Sequence, residues 1–459
     1  MPSTPTAAAD IARAFAAQAG AKSRASAALR RDRLRRLQDA LRAHFPEVMD
    51  ALASDLAKPP FEAVLDAGIA SQDIESALTN LDAWMAPAEV PPGETAAPGA
   101  TAQLIYEPRG RVLIFGPWNF PFSLLFQPLV GALAAGNAAI LKPSEFTPAT
   151  SAVSARIVKG AFDECEVAIF EGGPEVASLL LEQPFEHIFF TGSTEVGRKV
   201  MSAASRHLST LTLELGGKCP AVLDRGFDVE TAARRIAWGK FWNAGQVCLA
   251  PDHAWVPSDQ VERFADAVAT YIEQSYYEAG RFNAKDLARI IHPRHVERLQ
   301  GLVEDAVRRG ARVVAGGDMC DGRMAPTLLC DVPPESAIMG EEIFGPVLPI
   351  LAYDTTEDLL ERISQGPSPL ALYLFSDRQA FIDEALTRTS SGGVTINDVL
   401  QHAMVPGLPF GGVGESGMGA YHGAHSFIAL SHARSVFRQA KVNPAEEFLR
   451  PPYGTRMPM

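Results

Sequence analysis

Cysteine is scarce in this chain and shows no pairing pattern. Five occur among 459 residues, Cys165, Cys219, Cys248, Cys320 and Cys330, with no Cys-x-x-Cys spacing. The odd count and the spacing argue against a disulfide framework and a structural zinc site, and fit a reducing compartment. No His-Glu-x-x-His helix occurs, and the close pair His422 and His425 has no carboxylate at ligand spacing, so no metal is expected. Positive charge is in deficit: the formal net charge is -13, which argues against nucleic acid as a partner. Long apolar runs are absent too, and none reaches membrane-spanning length. The first twenty residues, MPSTPTAAADIARAFAAQAG, lack a basic stretch followed by an apolar core and do not read as a secretory signal. Arg13, Lys22 and Arg24 permit a transit-peptide reading, but an N-terminal helix is more economical. The tail RPPYGTRMPM offers no lipid anchor. The expectation is a cytoplasmic protein with no membrane partner.

What is present is an ordinary globular composition, 47% apolar and 21% charged, on a chain long enough for two or three domains. Residues from about 10 to 85 read as helices. Within them Arg30-Arg31-Asp32-Arg33-Leu34-Arg35-Arg36 is basic, and Leu29, Leu34, Leu37 and Leu41 recur near helical spacing. The expectation there is an amphipathic helix with a solvated basic face. Pro87 to Pro98 reads as a loop or linker. From Arg111 short apolar runs alternate with helical stretches: 112–115, 138–141, 167–170 and 187–190, then 220–223 and 253–256 with helices from Asp228 and Ser258. Thr147-Pro148 reads as another helix start. This alternation predicts an α/β fold with parallel sheets covered on both faces, in two units that meet near 212–217.

Two residues stand where chemistry is plausible. Cys248 lies in the Gly-punctuated segment Asn243-Ala244-Gly245-Gln246-Val247-Cys248, and Glu214 interrupts an apolar strand just before Gly216-Gly217. A thiol and a carboxylate so placed suggest covalent catalysis with a partner base. Taken singly, each is equally a buried small residue or a satisfied strand-edge polar group. Phe189 to Val200 reads as strand, Gly turn, helix, a place where free N–H groups and a positive dipole end meet an anion. Only Gly192 and Gly197 match the outer positions of the dinucleotide fingerprint, so an ordinary turn stays open. Lys142-Pro143-Ser144-Glu145 ends a β run, where Lys142 can bond ribose hydroxyls or phosphate and Glu145 can accept from a ribose diol, or the segment is a surface loop that starts a helix. Pro117-Trp118-Asn119-Phe120-Pro121 is a proline-fixed turn whose Asn119 amide suits an oxyanion, or simply a tight turn. Trp118, Phe120, Trp242 and Phe410 are either walls of a pocket or plain core.

Together these segments resemble the aldehyde dehydrogenase superfamily. The motifs, in order, are Gly116 to Pro121, Leu141 to Glu145, Phe190 to Thr194 with Gly197, Leu213 to Lys218, Gly245 to Cys248, and Glu341-Glu342-Ile343-Phe344-Gly345-Pro346-Val347. The C-terminal blocks 393–398, 408–414, 416–419 and 421–423 look most like the class 3 branch and its coniferyl aldehyde dehydrogenases. The resemblance implies a Rossmann-like NAD(P)-binding domain (1–90 and 109–213), a catalytic α/β domain (214–398) and oligomerisation or bridging segments (91–108 and 399–459). It implies Cys248 as nucleophile, the Asn119 side chain with the Cys248 N–H as oxyanion hole, and Glu214 as the base that hydrolyses a thioester. It assigns Lys142 and Glu145 to the adenine ribose, Gly192, Ser193 and Gly197 to the pyrophosphate, and Glu342 and Phe344 to the nicotinamide riboside. Glu145 favours NAD over NADP, because a carboxylate repels a 2′-phosphate; NADP stays possible. The substrate expected is an aldehyde, aromatic such as coniferyl aldehyde or medium-chain aliphatic, and the assembly a homodimer. A CoA-acylating relative is the alternative, against which Glu214 speaks. Trp242-Asn243-Ala244 and His292 depart from the usual pattern, at positions expected to lie outside the catalytic set.

Overall fold

The computed structural model describes residues 4–21, 25–94, 96–320, 322–443 and 451. Lys22, Arg24 and, apart from position 451, the polar tail lie outside the described residues. Two parallel-rich sheets organise the chain. The first has six strands in the order Gly417–Met418, Thr210–Glu214, His187–Thr191, Arg111–Phe115, Ala138–Lys142, Val167–Ile169. Every pairing is parallel except that of 417–418 with 210–214. The second has seven strands, with Pro220–Leu223 and His253–Pro257 near its middle. The apolar runs read from the sequence are these strands, and they are continuous because both faces are covered: all five residues of 138–142 are buried.

The first sheet reverses its winding at strand 111–115, which has 138–142 on one side and 187–191 on the other. In open α/β sheets ligands settle at such a switch point, beyond the carboxyl ends of the strands. Four of the motif segments (116–121, 142–145, 191–197 and 214–218) begin at or directly after the carboxyl ends of strands in this one sheet. Strand 210–214 carries the chain from this sheet, through Gly216-Gly217, to strand 220–223 of the second.

The N-terminal region forms helices Thr4–Ala17, Ala27–Ala43, Phe45–Leu56 and Pro60–Met85. The basic run is a solvated face only in part, with Arg35 exposed. Arg30, rather than Leu29, takes the buried place in the stripe with Leu34, Leu37 and Leu41, and donates to the Ala134 carbonyl at 2.9 Å. Arg33 and Arg36 both pair with Glu166, and Arg31 with Asp82. The stretch expected as a linker contains strand Ala88–Val90, which joins Thr101–Pro108 and Ser431–Arg438 in a separate antiparallel sheet. Its composition hid it, since its order comes from a partner strand and not from an apolar pattern of its own.

Candidate active site

Cys248 follows a tight turn that needs unusual backbone. Asn243 (φ 50°), Ala244 (φ 52°) and Gly245 (φ 72°) are all left-handed, which is strained for the first two. At Gly245 a Cβ would sit 2.2 Å from the Gly345 carbonyl oxygen, so glycine lets this turn press against the segment 341–347. Gln246 locks the turn outward: its side chain donates to the Arg289 carbonyl (3.0 Å) and accepts from the Ile291 N–H (3.0 Å).

Asn119 meets the same turn from the other unit. It is buried, and its amide donates to the Gln246 carbonyl at 3.0 Å. An amide NH2 has two hydrogens, so one is left for another acceptor. Asn243 completes the joint by donating from its own amide to the Asn119 carbonyl (3.0 Å) and the Gln246 carbonyl (3.1 Å). Asn243 therefore touches the candidate catalytic set directly, contrary to the expectation from sequence. His292 lies apart: its ring accepts from the Arg294 N–H and meets Phe146 edge-on.

The thiol is half-buried among carboxylates. Desolvation, then the charges of Glu342 and Glu214, push it up to about 12, while its own N–H and that of Leu249 pull the other way. Glu214 ends strand 210–214, is buried, and neither carboxylate oxygen has a hydrogen-bond partner among the described residues. Desolvation holds its pKa well above the usual carboxylate range. Glu342 is raised to about 7 by desolvation, against the Gly217 N–H that bonds it. A Cβ at Gly216 would lie 2.3 Å from a Glu342 oxygen, so the glycine pair admits this side chain.

Behind the thiol the packing is polar and fully engaged. Buried Cys219 donates to the Cys248 carbonyl at 3.4 Å and accepts from the Ala371 N–H, a structural role. The Tyr373 hydroxyl donates to the Leu249 carbonyl at 2.6 Å. Asp252 pairs with Lys218 at 2.6 Å and accepts from the Ile343 N–H at 2.9 Å, which fixes the 341–347 segment beside the thiol turn.

The candidate cofactor residues occupy the switch-point end of the first sheet. Lys142 and Glu145 form an ion pair of 2.6 Å, with the lysine buried and the glutamate partly open. Ser193 caps helix Thr194–Ser205 by accepting from Val196 N–H. The Gly192 N–H is committed to the Glu214 carbonyl. Gly197 is a packing glycine: a Cβ there would meet Leu215 at 2.8 Å, so its absence seats the helix on the chain after the last strand. Phe344, at φ 46°, packs edge-on against Trp118 with centroids 5.3 Å apart. Phe120 and Phe410 are buried core residues, and Trp242 bridges Phe120 and Trp238. Asn119, Glu214, Cys248 and Glu342 thus gather at the junction of the two sheets, while Lys142, Glu145, Ser193 and Gly197 lie along one end of the first. An elongated ligand crossing from one group to the other fits this spread.

Comparison with known proteins agrees with this geometry. The profile of the Aldehyde dehydrogenase family matches residues 2–436. A putative aldehyde dehydrogenase, AldX, of Bacillus subtilis is 46% identical over 90% of this chain and 93% of its own length. A probable coniferyl aldehyde dehydrogenase of Caulobacter vibrioides is 42% identical over 92% of this chain and 89% of its own. The solved structure of Staphylococcus aureus AldH in a substrate-bound state superposes with a TM-score of 0.89 at 37% identity, covering 96% of each chain.

Proposed function

The chain belongs to the aldehyde dehydrogenase family, and from that premise we propose that it oxidises an aldehyde to the carboxylic acid with NAD(P), through a thioester on Cys248. The observation that carries this reading is a thiol, a spare amide hydrogen on Asn119 and a buried carboxylate, Glu214, without a partner among the described residues, at one junction. Cys248 attacks the carbonyl carbon. The alkoxide that forms is held by the Asn119 amide and the Cys248 N–H; losing one such donor costs on the order of 3 kcal/mol in barrier. NAD(P), when bound, would supply the hydride acceptor. Glu214, whose oxygens have no hydrogen-bond partner among the described residues, takes a proton from the water that attacks the thioester; desolvation raises its pKa, which makes its carboxylate a stronger base.

Lys142 and Glu145 would hold the adenine ribose, Gly192, Ser193 and Gly197 would border the pyrophosphate, and Glu342 and Phe344 would border the nicotinamide riboside. Glu145 favours NAD over NADP. The partly open position of Glu145 supports that assignment, since a 2′-substituent there meets a carboxylate. An aromatic aldehyde such as coniferyl aldehyde is the leading substrate, supported by the relative that bears that name. A medium-chain aliphatic aldehyde is second.

The proposed division follows the sheets. Residues 1–90 and 109–213 bind the cofactor, 214–398 carry the nucleophile, and 91–108 with 399–459 bridge two copies in a homodimer. Two strands are exceptions: 417–418 edges the first sheet, and 88–90 joins the separate antiparallel sheet. Among the described residues no helix is long and apolar enough to cross a membrane, and a cytoplasmic location is proposed. Initial-rate NADH and NADPH formation with coniferyl aldehyde, benzaldehyde and hexanal tests the reading. NAD-linked turnover of the aromatic substrates is expected. Turnover that requires added CoA would show that water is not the acceptor and would overturn the role of Glu214.

A further inference from the structure

Helix 60–85 reaches both halves of the candidate oxyanion hole with two carboxylates one turn apart. Glu62 and Asp66 share a face of that helix. The Asn243 N–H donates to both oxygens of Glu62, at 3.2 Å each. Asp66 accepts from the Ser123 N–H at 2.8 Å and pairs at 2.8 Å with Lys58, whose ammonium lies 4.0 Å over the Phe120 ring. One helix thereby grips the thiol turn through Glu62 and the Asn119 turn through Asp66, Ser123 and Phe120.

We propose that Glu62 is a positioning residue for the reaction: by holding the Asn243 N–H it keeps residues 243–245 left-handed, and through the Asn243 amide it fixes the Asn119 and Gln246 carbonyls, the second of which orients the Asn119 side chain for an oxyanion. This rests on the assignment of Asn119 and Cys248 made above. Asn243 is held on the other side by Gln246, whose N–H (3.0 Å) and side-chain amide (3.1 Å) both donate to its carbonyl, and Glu62 is the partner that holds its N–H. Glu62 is buried in the chain interior, and a carboxylate is desolvated there only at a cost, so it does not persist as a casual cap. The charged or titratable groups that face it are Lys58, Asp286 from the turn Ala284–Asp286, and Tyr276 at the end of helix Val261–Tyr276. Desolvation raises it to about 7 despite Lys58 and the Asn243 N–H.

The test is a double-mutant cycle on the full-length protein, reading dehydrogenase turnover and, without cofactor, hydrolysis of p-nitrophenyl acetate, which passes through the same kind of alkoxide. Glu62→Leu should lower kcat by about 10- to 100-fold in both assays with little change in aldehyde KM. Asn119→Ala alone should lower both by about 10²-fold. In the Asn119→Ala background, adding Glu62→Leu should cost little more, because the two act through one donor. Glu62→Gln retains an acceptor for the Asn243 N–H and should stay within about fivefold of wild type, which also guards against a Leu variant that fails to fold. Fully additive losses, or a Leu variant with wild-type kcat, would overturn the proposal. If Asn119→Ala itself has no effect, the assignment of the oxyanion hole fails first, and Glu62 with it.

Discussion

Replacing Glu342 by glutamine should make Cys248 more nucleophilic in the cofactor-free protein. The thiol is pushed up to about 12 from an ordinary 9.0, with desolvation the main cause and the Glu342 charge the next. At pH 8 that leaves roughly one thiolate in ten thousand, against roughly one in ten for an unperturbed thiol of that ordinary value. A like charge close by shifts a pKa by about one unit or more, so its removal should raise the thiolate fraction about tenfold. Glu342 is itself raised to about 7. Below that pH it is protonated in the wild type and the two proteins should converge; above it the variant should run ahead. The assay is the rate of iodoacetamide labelling of Cys248 between pH 6 and 9, resolved by peptide mass spectrometry because Cys165 is exposed and also reacts. Equal rates at every pH would refute the claim that Glu342 faces the thiol and suppresses its ionisation.

Gly245→Ala should lose activity by about 10²-fold or more and lower the Tm, because its Cβ would sit 2.2 Å from the Gly345 oxygen on a backbone at φ 72°; kinetics with a thermal melt check it, and a variant with wild-type turnover would contradict the turn's role. Glu145→Gln should move the NAD/NADP ratio of kcat/KM toward NADP by removing a charge that repels a 2′-phosphate. An unchanged ratio would remove Glu145 as the discriminator.

The strands were legible where both faces are covered, because there the sequence reads as an unbroken apolar run: 220–223 appears in the chain as Pro-Ala-Val-Leu and in the fold as a fully buried strand. Strand 88–90 was hidden in a Pro/Gly/Ala stretch since all three of its residues are exposed and only a neighbour orders them. Arg30 defeated the periodicity argument, because a guanidinium that caps carbonyls such as that of Ala134 can occupy a leucine's place. At the site, Cys248 and Glu214 stood out by breaking their local patterns. Asn243 looked like a neutral departure, since its left-handed backbone and its bonds to Asn119 exist only once two units meet. Glu62 gave no signal at all: in sequence it is a first-turn acid on a helix, 181 positions from the residue it holds.

The central claim is a thioester on Cys248 that Glu214 clears. Its most direct test is intact and peptide mass spectrometry of the Glu214→Gln protein, quenched in acid during turnover with an aromatic aldehyde and NAD. The account predicts an added acyl group on the peptide that contains Cys248, at much higher occupancy than in wild type and absent from Cys248→Ser. Full turnover with no adduct, or an adduct on another cysteine, would contradict it.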